Sequence, residues 1–109
     1  MGIFDNFKRD MLYRKGLMQH KEGSALNDQG KFQLAKAKFD AALENYRAAY
    51  GMGCRTPFLL IAMGLIEMRE GNFETAQKVF LEAGRQKNIK PDERARLRNN
   101  YAILLWKMG

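Results

Sequence analysis

The sequence predicts an all-α protein, and three observations lead to that fold class. Hydrophobic residues make up 46% of the 109 positions, which is typical of one folded domain, and prolines number only two. The apolar residues do not alternate in the manner of strands. They recur at the helical spacings of three and four, as in Phe73, Ala76, Phe80 and Ala83.

That stripe belongs to a segment that occurs twice. It begins after Gly71 and Asn72, where we expect a glycine to end one helix and an asparagine to cap the next. The same residue types stand 41 positions earlier, at Gly30, Phe32, Ala35, Phe39 and Ala42. We therefore predict two helical hairpins, each turning at its glycine.

The repeated pattern resembles the tetratricopeptide repeat family, whose unit is a pair of antiparallel helices with conserved small and aromatic positions. Gly23 and Gly64, each seven residues before a hairpin glycine, match the family's upstream glycine. The resemblance covers residues 17–109, and the segment around Tyr101 resembles the first helix of a third unit. The 41-residue spacing exceeds the family's period of about 34 residues.

Residues 1–16 lie outside the resemblance and predict an N-terminal amphipathic helix, which either ends near Gly16 or continues through it. One face carries Ile3, Phe4, Phe7 and Met11. We expect this face to pack against the repeat domain, residues 17–109, on its groove or the groove's edge, and binding of a partner protein is the alternative. We expect neither a secretory signal nor binding to a membrane surface.

The predicted hairpins follow in order. The first spans residues 17–29 and 32–50, and Thr56 and Pro57 then provide an N-cap and a first helical residue for the second. The run 58–66 contains no polar residue, so we expect its helix to be buried on all sides. Pro91 begins the last helix, which completes two hairpins plus a final helix.

The resemblance implies that the first helix of each unit lines a groove. The positions that match this face, together with the edge positions, are Phe58, Ile61, Leu65, Met68, Arg69, Arg96, Asn99, Asn100, Ile103, Trp106 and Lys107. Apolar side chains edged by cations predict a protein or peptide partner, best an amphipathic helix with an acidic flank. A homodimer formed through the apolar surfaces is the alternative.

Catalytic chemistry is not predicted. His20 and Ser24 lie one turn apart, but the third group that would orient such a pair for catalysis is missing. Glu67 and Glu70 also lie one turn apart, and we expect both carboxylates to be solvated. The single cysteine, Cys54, favours a reducing cytoplasm over a disulfide framework and supplies no metal-ligand spacing. We expect a non-enzymatic protein without metal or cofactor.

One specialisation of the family is also not expected. Some members hold a peptide's terminal carboxylate with lysine and asparagine side chains, and the matching positions here are His20, Ser24, Ala62, Arg96 and Asn100. Among these, Arg96 alone keeps the positive charge that such a clamp requires. The resemblance therefore implies a binding module of a different specificity.

The net charge of +7 is spread along the chain. Its densest run is Arg85, Lys87, Lys90, Arg94, Arg96 and Arg98, which Asp92 and Glu93 interrupt. Because neither a nucleic-acid motif nor an aromatic platform accompanies this run, we predict a solvated basic surface and not a nucleic-acid site. The predicted function is that of an adaptor that binds a protein segment.

Overall fold

The computed structural model describes residues 2–109, which contain five α-helices and no strand, so the all-α prediction is confirmed. The helices are α1 (Ile3–Asp28), α2 (Phe32–Gly51), α3 (Pro57–Arg69), α4 (Phe73–Gly84) and α5 (Pro91–Met108). None of these helices has both the length and the apolar content needed to cross a membrane. The chain divides after Cys54 into two compact units.

Glycines end the helices where the sequence predicts. Gly30 and Gly71 have φ values of +78° and +82°, the left-handed region that a residue with a Cβ avoids. At the first turn the Lys31 amide donates to the Leu26 carbonyl at 2.9 Å, and at the second the Asn72 amide donates to the Glu67 carbonyl at the same distance. Both turns are therefore Schellman motifs, which satisfy carbonyls that the helix end leaves open.

The helix starts are confirmed with one exception. The Leu59 amide donates to the Thr56 hydroxyl at 3.2 Å, so Thr56 is the N-cap of α3, and Pro57 follows as its first residue. Asn72 occupies the N-cap position of α4, but its side chain makes no capping hydrogen bond. The predicted asparagine cap is therefore wrong in its chemistry, since the Asn72 backbone, with a ψ of 67°, is not in the extended conformation of a typical N-cap residue.

The first unit consists of α1 packed antiparallel on α2. The helix α1 continues without interruption through Gly16, so the amphipathic segment 1–16 is the beginning of a longer helix. Two glycines let the helices approach. A Cβ at Gly16 would lie 2.6 Å from the Tyr46 ring, and one at Gly23 would lie 2.9 Å from the Phe39 ring.

Polar side chains accompany this apolar contact. Nδ1 of His20 and the Tyr46 hydroxyl share a hydrogen bond of 3.2 Å, and the side-chain amide of Asn45 donates to the side-chain oxygen of Gln19 at 2.6 Å. The His20 ring also meets the Phe39 ring edge-on, with the centroids 5.7 Å apart. Tyr46 is fully buried with its hydroxyl paired, which avoids the free-energy cost of an unsatisfied polar group.

The second unit is built on α3, α4 and α5. The helix α3 is buried on nearly its whole circumference, as its unbroken apolar run predicts. A Cβ at Gly64 would overlap the ring of Phe80, which is 1% exposed. Glu67 is 2% exposed, so the prediction that Glu67 and Glu70 are both solvated is wrong for Glu67. The reason is that the helical turn that carries Glu67 lies inside the unit.

The helix α5 packs antiparallel on α4. The side-chain amide of Gln77 donates to the Tyr101 hydroxyl at 3.0 Å, and the Tyr101 ring lies edge-on to Phe80 with a centroid distance of 6.5 Å. Further along, Leu97 lies opposite Gly84. Leu97 and Leu104 are the buried residues of α5, so one side of this helix faces the core and the remainder faces solvent.

The 41-residue sequence repeat corresponds to a repeated contact. Gly23 packs against Phe39 in the first unit, and Gly64 packs against Phe80 in the second, at matching positions. Each phenylalanine is buried, at 4% and 1% exposure. Burial of a phenylalanine side chain contributes about 1.5–3 kcal/mol, so each contact is a major part of its unit's core.

The close approach at Gly64 predicts that Gly64→Ala destabilises the protein although alanine favours helices. The added methyl group has to displace the buried Phe80 ring, and overpacking of this kind costs about 1–3 kcal/mol. Gly51→Ala is the matched control, because Gly51 lies in α2 and a methyl group added there would meet nothing within 4 Å. The control should be neutral or more stable by about 0.4–1 kcal/mol in urea unfolding. Equal stability of both variants would show that Gly64 is not in close contact.

Burial, with the Tyr13 phenol adding to it, raises the pKa of the Tyr46 phenol well above its ordinary value. The folded protein therefore holds this proton more tightly than the unfolded chain does. The contribution of the buried phenol to the free energy of unfolding is fully present below the unfolded pKa of about 10 and is lost as pH rises above that value. Tyr46→Phe should cost about 1 kcal/mol at neutral pH through the lost hydrogen bond. It should also lack this alkaline loss, so the difference in unfolding free energy between parent and variant should shrink above about pH 10. A difference independent of pH would contradict the burial of the phenol.

Candidate partner-binding surfaces

A cation–π contact joins two of the residues predicted for the groove. The Arg96 guanidinium carbon on α5 lies 5.7 Å from the centroid of the Phe58 ring at the start of α3. Phe58 remains 38% exposed, so the ring is accessible although the arginine covers part of it. The contact is favourable by about 0.5–1 kcal/mol at such an exposed site.

The helix α5 continues this surface from Arg96. Asn100, Ile103 and Lys107 follow at spacings of four, three and four, which places them on one edge of the helix. Ile103 is 46% exposed and Trp106, its neighbour one turn on, is 81% exposed. We call this set the α3–α5 surface: Phe58, Arg96, Asn100, Ile103, Trp106 and Lys107.

The remaining groove residues are placed differently. Ile61 and Met68 are 3% and 8% exposed, so they belong to the core and the prediction that they line an open groove is wrong. Their burial has a simple cause, because a helix without polar positions between 58 and 66 leaves no side to face water. Leu65 is partly exposed, and Arg69 and Asn99 are exposed.

The apolar face of the N-terminal segment is uncovered. Ile3, Phe4 and Phe7 are 79%, 82% and 66% exposed, and Met11 is 56% exposed. The predicted packing of this face against the rest of the chain is therefore wrong. Gly16, which contacts α2, follows Phe7 by nine positions, and this offset puts the two residues on opposite sides of the helix.

Met18, 65% exposed, extends the same outward face by two further turns. We call the set Ile3, Phe4, Phe7, Met11 and Met18 the α1 stripe. Five large exposed apolar side chains on one face of a helix are the usual mark of an interaction surface, whereas singly scattered apolar side chains are not.

The residues considered for chemistry belong to both units and differ in burial. His20 bonds to Tyr46, Ser24 is exposed, and Ala62 and Cys54 are buried. No three metal-ligating side chains of the His, Cys, Asp and Glu types cluster among residues 2–109. The clamp positions are thus part core and part surface, since Ala62 is buried whereas Ser24 and Arg96 are exposed.

The basic run of the sequence separates in space. Arg96 lies on the α3–α5 surface, whereas Arg94 and Arg98 line the other edge of α5 together with Arg85, which follows α4. Sequence reasoning treated the run as one solvated face and missed this second grouping. The i, i+4 spacing of Arg94 and Arg98 was a usable signal, but the position of Arg85 depends on how α4 and α5 pack.

Comparison of the chain with protein-family models, with curated proteins and with solved structures found no match in any of the three.

Proposed function

We propose that this protein is a non-enzymatic interaction module that binds a segment of a partner protein on the α3–α5 surface. The observation that carries the proposal is the exposure of Trp106 and Ile103, at 81% and 46%, beside the Arg96–Phe58 contact. Tryptophan and arginine are the residues most enriched among those that dominate interface energies. Burial of each large apolar side chain would contribute about 1.5–3 kcal/mol to binding.

The repeated Gly–Phe contact supports the second part of the proposal, that the two hairpins are units of a tetratricopeptide-like repeat. Both units turn at a left-handed glycine and pack a phenylalanine on a helix glycine 16 residues earlier. A stack of such units presents extended surfaces to ligands. The buried thiol of Cys54 fits the proposed cytoplasmic location, where thiols stay reduced.

The chemistry of the surface indicates the kind of partner. Ile103 and Trp106 offer apolar contacts one turn apart, and Arg96 and Lys107 place positive charge beside them. An amphipathic helix with apolar anchors and acidic residues on one flank complements this arrangement. The acidic flank would orient the bound helix and speed its association, and it would contribute less to the affinity itself.

A second candidate function is self-association, and the α1 stripe favours it. Five large apolar side chains, each more than half exposed, lie on the outward face of α1. A two-fold axis beside this helix would bring the stripe onto its own copy, since an isologous interface uses the same patch on both subunits. The protein would then be a structural subunit whose dimer forms through α1.

Trp106 allows a direct test of the first proposal, because it is the single tryptophan of the chain. A peptide library displayed on phage is selected against the full-length protein, and the enriched peptides are synthesised and titrated. We expect peptides with apolar residues at helical spacing and an acidic flank, and a blue shift of the Trp106 emission when they bind. Ile103→Asp should weaken their affinity about tenfold or more.

Leu105→Asp is the matched control for Ile103→Asp. It introduces the same charge into the same helix at a residue of similar exposure, 48%, on the other edge of α5. It should leave the affinity within about threefold of the parent, since surface changes outside an interface have small effects. If none of the selected peptides both shifts the Trp106 emission and is weakened by Ile103→Asp, the proposed surface is overturned.

Sedimentation at increasing protein concentration separates the two candidate functions. A dimer formed through the α1 stripe should dissociate when Phe7→Asp places a charge at the centre of the stripe, and its circular dichroism should stay helical because Phe7 is exposed in the monomer. A parent protein that remains monomeric up to about millimolar concentration, where even weak dimers form, excludes the second candidate.

A further inference from the structure

A cleft of about 490 Å³ lies between α4 and α5 in the second unit, on the edge of α5 away from Arg96. It is separate from the α3–α5 surface and makes no use of its residues. Phe80 and Leu97 form its floor and are 1% and 8% exposed, and Leu81 stands at the rim with 43% exposure. The interior of the cleft is therefore apolar.

The rim carries three arginines, two from α5 and one from the turn that follows α4. Arg94 and Arg98 stand one turn apart on α5, and Arg85 follows the last residue of α4. All three are exposed, and none makes an ion pair with another of residues 2–109. Glu93, an acid close to them in sequence, accepts a hydrogen bond from the Lys90 amide at 2.9 Å as part of the helix cap.

We propose that this cleft, which we call the arginine cleft, is a second binding site and takes an acidic peptide segment that carries an apolar side chain. Guanidinium groups form paired, charge-assisted hydrogen bonds with carboxylates, and three of them converge on one opening. The apolar floor accepts a leucine- or phenylalanine-sized group and excludes water from it. The positive charge favours an acidic ligand, and the apolar floor favours a ligand with an apolar side chain over a simple anion.

A peptide fits the arginine cleft better than a nucleic acid does. Single-stranded nucleic acids bind basic surfaces through bases that stack on free aromatic faces. Tyr101 is the aromatic residue nearest the opening, but its hydroxyl accepts a hydrogen bond from Gln77 and its ring packs edge-on against Phe80. The aromatic groups of the cleft are thus held within the core packing of the unit.

The test uses the full-length protein and a fluorescein-labelled, acetylated helical peptide of about 14 residues, with leucines on one face and glutamates flanking them. Binding is followed by fluorescence anisotropy at low salt. We expect saturable binding that Arg94→Glu/Arg98→Glu weakens about tenfold or more, because two charge-assisted contacts become repulsive. Leu81→Ser should weaken it about threefold or more through the lost apolar contact.

Two matched variants separate the arginine cleft from the other basic surfaces. Lys87→Glu/Lys90→Glu reverses the same amount of charge outside the cleft, and Arg96→Glu reverses a charge on the α3–α5 surface. These comparisons are made at about 0.1 M salt, where the Debye length is about 10 Å, and each variant should change the affinity less than about threefold because none of its residues lines the cleft. If Arg96→Glu alone abolishes binding, the peptide occupies the α3–α5 surface and the proposal for the cleft is overturned while the proposed function stands.

Three other outcomes also overturn the proposal. The first is no binding at low salt. The second is equal affinity for a peptide whose leucines are replaced by serines, which would show electrostatic attraction without a site. The third is displacement of the peptide by a single-stranded oligouridylate that binds more tightly, which would assign the cleft to nucleic acid. Circular dichroism of every variant confirms that the exposed substitutions leave the helices intact.

Discussion

The close contact between a helix glycine and a phenylalanine ring is the constraint on which both units depend. Gly23 admits Phe39, and Gly64 admits Phe80, because the missing Cβ leaves room for an aromatic ring against the helix backbone. A larger residue would hold the helices apart and open a gap in the core, and protein interiors lose stability steeply when packing is lost. The left-handed glycines at 30 and 71 contribute by reversing the chain quickly enough for these pairs to meet.

This packing determines which side chains remain outside. Tight packing of α3 within its unit buries nearly every apolar residue of that helix, including Ile61 and Met68. The helix α5 has one buried side, at Leu97 and Leu104, so two exposed edges remain. One edge carries Arg96, Ile103 and Lys107 beside Phe58, and the other carries arginines above the cleft with α4. The two proposed sites are thus consequences of how a single helix is packed.

Much of the fold could be predicted from the sequence because local signals and the repeat agreed. Gly30, Gly71, Thr56 and Pro57 fix helix ends through backbone conformation and capping, which depend on few residues. The all-α class follows from the spacing of apolar residues. Asn72 shows the limit of such rules, since its position was predicted correctly but its capping hydrogen bond is not formed.

The sites were less predictable because exposure depends on packing between helices. The apolar character of Ile61 and Phe7 is similar in sequence, yet one is buried and the other is 66% exposed. The hydrophobic pattern identifies a face but not what covers it. The same limit applies to Arg85, which joins Arg94 and Arg98 only when α4 and α5 are placed side by side.

Solution NMR of the aliphatic protons of Gly23 and Gly64 tests the central claim most directly. If each glycine lies against a phenylalanine ring, the ring current should shift its α-protons strongly away from their random-coil values. They should also show nuclear Overhauser contacts, from Gly23 to Phe39 and from Gly64 to Phe80. Alpha-proton shifts near random-coil values at both glycines, without contacts to those rings, would contradict the account of how the two hairpins are built.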